Sequence, residues 1–310
     1  MFVFLFFFSL HSLHGFESPC NSDSVPFKTT NGGYDCVDSN MAYKESMYFL
    51  SRNLPADDDI NKGSLGFNPT ENFYPCIASV STNASLSIKS SYSWAADVSK
   101  EMFMEYVLPY AILNEARTNW KPWFQEVVQG ILEATGDDLD KYTVADVVTA
   151  VNAGLWSGAL GKTIVFESNQ TPLIYDPMSV AVFGYASCTG VSIAFVDALR
   201  SIGVPCRVSG TPAWNDVRSN GNHNWIEVWN SDLEAWQFLE AAPAGGGETL
   251  DNPCDKWFCN PSHMANGTKF YSARWKQSST VRYPMAWDLT NREIPGDDMT
   301  EFYQSTCKAC

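Results

Sequence analysis

Ser187-Cys-Thr-Gly-Val-Ser-Ile-Ala-Phe-Val-Asp-Ala-Leu-Arg-Ser-Ile-Gly-Val-Pro-Cys-Arg-Val-Ser-Gly-Thr-Pro-Ala-Trp214 is the stretch on which the fold turns. Val191, Ala194, Phe195, Ala198, Leu199 and Ile202 recur at helical spacing, so 188–202 reads as a helix that is apolar on most sides. Gly203 supplies a natural C-terminal stop. Short strands are expected at 204–208, 224–229 and 235–241. A buried helix followed by short strands, with further helices upstream, predicts an α+β fold built on a small antiparallel sheet.

Cys188 opens this helix, within Gly184-Tyr-Ala-Ser-Cys-Thr-Gly190. A thiol at a helix start feels the macrodipole and the unpaired backbone N–H groups, which favour the thiolate. The same N–H groups can receive a developing oxyanion. A disulfide half-cystine or an inert buried thiol is the alternative reading. His223, in Gly221-Asn-His-Asn-Trp225, stands at the mouth of a strand. Beyond the first fifteen residues the chain holds only His223 and His263, and a cysteine nucleophile takes an imidazole partner. His263, in Asn260-Pro-Ser-His-Met264, lies in a loop beside a sequon and is the poorer candidate. So few histidines, and a single C-x-x-C at Cys307 and Cys310, speak against a zinc site. Glu240 is the candidate for orienting the imidazole. In a hairpin that sets His223 directly opposite Glu240, Trp229 faces Glu234 and 230–233 forms a four-residue loop. A carboxylate there would fix the tautomer and stabilise the imidazolium; a strand-end carboxylate without a role is the alternative. Trp214, Trp225, Trp229 and Tyr185 could wall an acyl tunnel or simply fill a core.

The order of these features is specific. A cysteine opens a helix, and a Gly-hydrophobic-Pro-x-Arg strand follows. Asn222-His-Asn-Trp-Ile-Glu-Val-Trp229 comes next, then an acid in Trp236-Gln-Phe-Leu-Glu240. The series resembles the core of transglutaminase-like domains. Phe103-Met-Glu-Tyr-Val-Leu-Pro-Tyr-Ala-Ile-Leu-Asn-Glu115 resembles the lead-in of microbial members, and the likeness covers roughly 40–245. It implies a papain-like core with a Cys188, His223 and Glu240 triad. It further implies acyl transfer or hydrolysis at a carboxamide or peptide carbonyl of a protein or peptide substrate, with no cofactor. An N-glycan amidase uses the same triad, and a secreted binding module on an inactive scaffold is the non-enzymatic alternative. The likeness is imperfect at two positions. The acid is Glu where Asp is usual, and Cys206 stands where Ala is common. No calcium-site pattern of the animal transglutaminase kind is present.

Upstream, 41–54 reads as a helix that stops at Pro55, and 100–114 shows near-helical spacing broken by Pro109. Residues 120–134 and 143–156 read as further helices. Asp57-Asp58-Asp59 reads as a solvated turn in preference to a calcium site. The last sixty residues read as loops with four cysteines. The expected division is a signal peptide at 1–15, an N-terminal helical and loop region at 16–95, a catalytic core at 96–250 and a cysteine-rich C-terminal tail at 251–310.

Apolar residues make up 45% and charged residues 18%, as in folded globular chains. A formal charge of −15, from 20 basic and 35 acidic residues, speaks against nucleic acid and anionic membranes as partners. Residues 1–10 are almost continuously apolar, too short to span a bilayer and of the length of a signal-peptide core. Cleavage is expected between Gly15 and Ser18, with an uncleaved anchor as the alternative. Nine cysteines and sequons at Asn83, Asn169 and Asn266 agree with the secretory route, so a secreted or endolysosomal protein is expected. Nine is odd, so one thiol stays outside intrachain disulfides. With Cys188 as nucleophile, eight remain for up to four disulfides. Cys254 with Cys259 and Cys307 with Cys310 are candidate close pairs, and Cys206 is the doubtful member. Nothing in the sequence sets the oligomeric state.

Overall fold

The computed structural model describes residues 16–67, 76–169, 175–245, 249–264, 267–278, 281–283 and 292–310. The leader expected at 1–15 and the sequon at Asn266 lie outside them, whereas Asn83 and Asn169 are exposed. The chain begins with a hairpin of β1 (Ser24–Lys28) and β2 (Tyr34–Asp38), crosslinked nearby by Cys20 and Cys36. Helix α1 (Ser39–Arg52) starts where the Asp38 carboxylate accepts from the Met41 amide. Then come α2 (Ala56–Ile60), α3 (Ile77–Ile88), α4 (Ser93–Ala96), α5 (Lys100–Tyr106), α6 (Trp120–Ala134) and α7 (Val144–Gly154). A capping box of Thr143 and Asp146 starts α7. The acidic run at 57–59 is a short helix and not the solvated turn expected from its charge. Asp58 is buried there, because Arg117 Nε and the Tyr110 hydroxyl both donate to its carboxylate at 3.0 Å.

Next, β3 (Val165–Phe166), α8 (Pro177–Phe183) and β4 (Tyr185–Ala186) lead into α9 (Cys188–Ser201). All 14 residues of α9 are buried, which is why its sequence is apolar on nearly every side. The helix packs on β5 (Cys206–Thr211) and β6 (His223–Asn230) and against α6, α7 and α8. The remaining elements are β7 (Ala235–Leu239), β8 (Tyr271–Ala273), β9 (Val281–Tyr283), β10 (Ile294–Asp298) and α10 (Thr300–Lys308). Six strands form one antiparallel sheet in the order β7-β6-β5-β8-β10-β9. The architecture is α+β, helices first and sheet second. The last sixty residues are not mere loops, since they supply three of the six strands. Those strands are short, and Pro295 and Gly296 interrupt β10, so no alternating pattern announces them.

Buried polar groups bind the late strands and α10 to the sheet. Arg207 on β5 donates to Glu227 on β6 at 2.7 Å, and Glu227 also accepts from Ser272 on β8 and Tyr303 on α10, each at 2.7 Å. Trp225 Nε1 donates to the Tyr303 hydroxyl at 2.7 Å. A fully buried carboxylate is tolerable only with such a set of partners. Two disulfides, Cys254 with Cys310 and Cys259 with Cys307, add covalent ties. They overturn the expected pairings within each close pair. Cys307 and Cys310 stand about one helical turn apart, so both sulfurs reach the 254–259 segment alongside. Cys76, Cys188 and Cys206 keep their thiols, so three disulfides form and not four. Among the described residues no helix is long and apolar enough to cross a membrane.

Candidate active site

Asn224, the neighbour of His223, ties the first turn of α9 to the sheet. Its Oδ1 accepts from the Thr189 hydroxyl at 2.7 Å, its carbonyl from Ser192 at 3.3 Å, and its Nδ2 donates to the Ser209 carbonyl at 3.2 Å. Gly210 makes this possible, since a Cβ there would collide with the Asn224 side chain and the His223 carbonyl. Cys188, the first residue of α9, therefore sits close to the start of β6. The Asn224 backbone N–H and donors of Thr189 face its sulfur. Burial nevertheless pushes the Cys188 thiol up, and these donors offset that only in part. The helix start was expected to favour the thiolate, and burial acts against it.

His223 opens β6 and is 5% exposed, and Glu240, just past β7, is 1% exposed. The imidazole Nε2 and a Glu240 carboxylate oxygen are hydrogen-bonded. The route to this contact differs from the expected one. Trp229 lies opposite Trp236 and Ile226 opposite Leu239, a register shifted by two residues. Asn230 pairs with Ala235, so the loop is 231–234, with Glu234 at φ 48. A two-residue shift leaves every side chain on its original face, so His223 meets Glu240 along a diagonal and not directly across. Burial, with nearby His263 adding to it, pushes the His223 imidazole down to about 3.

One residue at this site was not singled out in the sequence. Trp257 Nε1 donates to the second Glu240 oxygen at 3.0 Å, and its ring lies 4.8 Å from the imidazole. Its only signal is a Trp-Phe pair set between Cys254 and Cys259. His263 lies one ring further out, against Trp214 at 4.6 Å and Trp257 at 5.4 Å, with Nδ1 bonded to Asn260 at 2.8 Å. Trp225 is core and not tunnel wall, stacked on Phe258 and edge-on to Tyr303.

Residues 135–241 match the family described as the transglutaminase-like superfamily. This segment belongs to that superfamily. The transglutaminase-like segment holds Cys188, His223 and Glu240, and Trp257 lies beyond it. Solved structures that the chain is similar to include red sea bream transglutaminase, at 12% identity over 66% of this chain and 44% of that one, with a TM-score of 0.38. The periplasmic domain of TgpA from Pseudomonas aeruginosa matches at 14% identity over 40% of this chain and 45% of that one, TM-score 0.30. Legionella pneumophila LapG matches at 14% identity over 52% of this chain and 89% of that one, TM-score 0.28. The chain spans less than half the length of the first solved structures it matches. Comparison with curated proteins returns no match.

Proposed function

We propose that the protein is a cysteine enzyme that opens a carboxamide or peptide bond through Cys188, His223 and Glu240. The observation that carries this reading is the buried hydrogen bond from His223 to Glu240, at the start of β6 where Asn224 ties the strand to the first turn of the helix that Cys188 opens. Glu240 holds Nε2 of the ring, which leaves Nδ1 to accept a proton. With the thiol pushed up and the imidazole pushed down, the resting pair is neutral. The proton therefore leaves Sγ as the sulfur attacks the carbonyl carbon, and Glu240 stabilises the imidazolium that results. The oxyanion is received by the Cys188 backbone N–H and a second donor. The carbon–nitrogen bond then breaks, the imidazolium proton departs with the amine, and a thioester remains on Cys188. Water, deprotonated by His223, completes hydrolysis; an amine in its place forms a new amide and completes transfer. Three disulfides support an oxidising compartment, and with it a secreted enzyme acting on protein or peptide.

The test offers purified protein and its Cys188→Ala variant three mixtures: a glutamine peptide in water, the same peptide with hydroxylamine, and a glycopeptide. Ammonia or hydroxamate from the parent protein, and neither from the variant, is expected. Equal turnover by the variant refutes the reading.

A further inference from the structure

Beyond the transglutaminase-like segment, Trp257 reaches the imidazole–carboxylate pair. Its Nε1–H donates to the Glu240 oxygen that His223 does not use, at 3.0 Å. Its ring lies 4.8 Å from the imidazole, and Trp257 is half-exposed whereas His223 is buried. The backbone that carries it is pinned at both ends, by Cys259 to Cys307 in α10 and by Cys254 to Cys310, two residues past that helix. Helix α10 is in turn anchored through Tyr303 to Glu227 and Trp225. Next to Trp257, Lys256 Nζ donates to the Asn252 carbonyl at 2.6 Å and to Asp255 at 2.7 Å, which fixes the turn itself. A glutamate held by one oxygen can still swing about its terminal torsion, which is broad. A donor on the second oxygen stops that rotation and sets the carboxylate plane.

We propose that Trp257 is a positioning residue that locks Glu240 against His223, and that the disulfide-tied segment 254–259 holds it there. This deepens the enzyme reading above and rests on it.

A double-mutant cycle tests it, read as kcat and KM for hydroxamate formation from the glutamine peptide. The rate at which iodoacetamide alkylates Cys188 serves as a readout that needs no substrate. Trp257→Phe keeps a ring and deletes the N–H. It should lower kcat about tenfold with KM nearly unchanged, and slow alkylation of Cys188. In a Glu240→Ala background the same change should cost nothing further, because the group it acts through is gone. Cutting one tie with Cys254→Ser and Cys310→Ser together, with Trp257 intact, should reproduce the loss and show the same dependence on Glu240. Parent-like kcat and alkylation in Trp257→Phe, or an equal loss with and without Glu240, overturns the proposal. Full turnover by Cys188→Ala would instead overturn the enzyme reading, so the two failures are distinguishable.

Discussion

At Cys188 two effects oppose each other. A helix start favours the thiolate by at most about 2 kcal/mol, whereas burial away from water penalises a charge by more. Burial pushes the Cys188 thiol up and the His223 imidazole down, so in the proposed mechanism His223 takes the proton during attack. His223→Ala should therefore lower kcat by about 10²- to 10⁴-fold, and Glu240→Gln by less, since it orients the base without itself taking the proton. His263→Ala should stay within a few-fold of the parent, because its Nδ1 is committed to Asn260. The hydroxamate assay separates these variants, and an inactive His263→Ala would mean the base is misassigned. Cys206 shows what burial does to a thiol away from the helix start. It is fully buried, faces the Val196 carbonyl at 3.4 Å, and burial pushes it up to about 12. Iodoacetamide should leave Cys206 unmodified in native protein and modify it after unfolding in guanidinium; native labelling would contradict its burial.

Among the elements, β6 does two tasks. Its first residue faces the proposed chemistry, and its fifth, Glu227, fastens three strands and α10 together. Glu227→Ala would leave Arg207 buried without one of its two carboxylate acceptors and should cost about 3–5 kcal/mol of stability, measured by chemical denaturation. A loss below about 1 kcal/mol would mean that Asp297, the other partner of Arg207 at 2.7 Å, suffices. Helix α9 was legible in the sequence because its apolar residues recur at helical spacing all along its length. The face shared by His223 and Glu240 was legible too, because alternation assigns a side to each strand residue. The register was not, because alternation is blind to a shift of two. Strands β8 to β10 were hidden by their brevity and by Pro295 and Gly296. Trp257 was hidden because its place follows from crossed disulfides, and spacing alone points to pairing between near neighbours.

For the whole molecule, the superfamily match ends at 241, yet the sheet and the site do not end there. β8 pairs with β5, and Trp257 reaches Glu240 from the cysteine-rich tail. In the proposed reaction Cys188 carries the acyl group. Brief incubation with a glutamine peptide, an acid quench and peptide mapping by mass spectrometry test it most directly. The Cys188 peptide should gain the mass of the substrate less ammonia, lose it on treatment with hydroxylamine, and show no such gain in His223→Ala. An adduct on another side chain, or turnover of the peptide by Cys188→Ala, would contradict it.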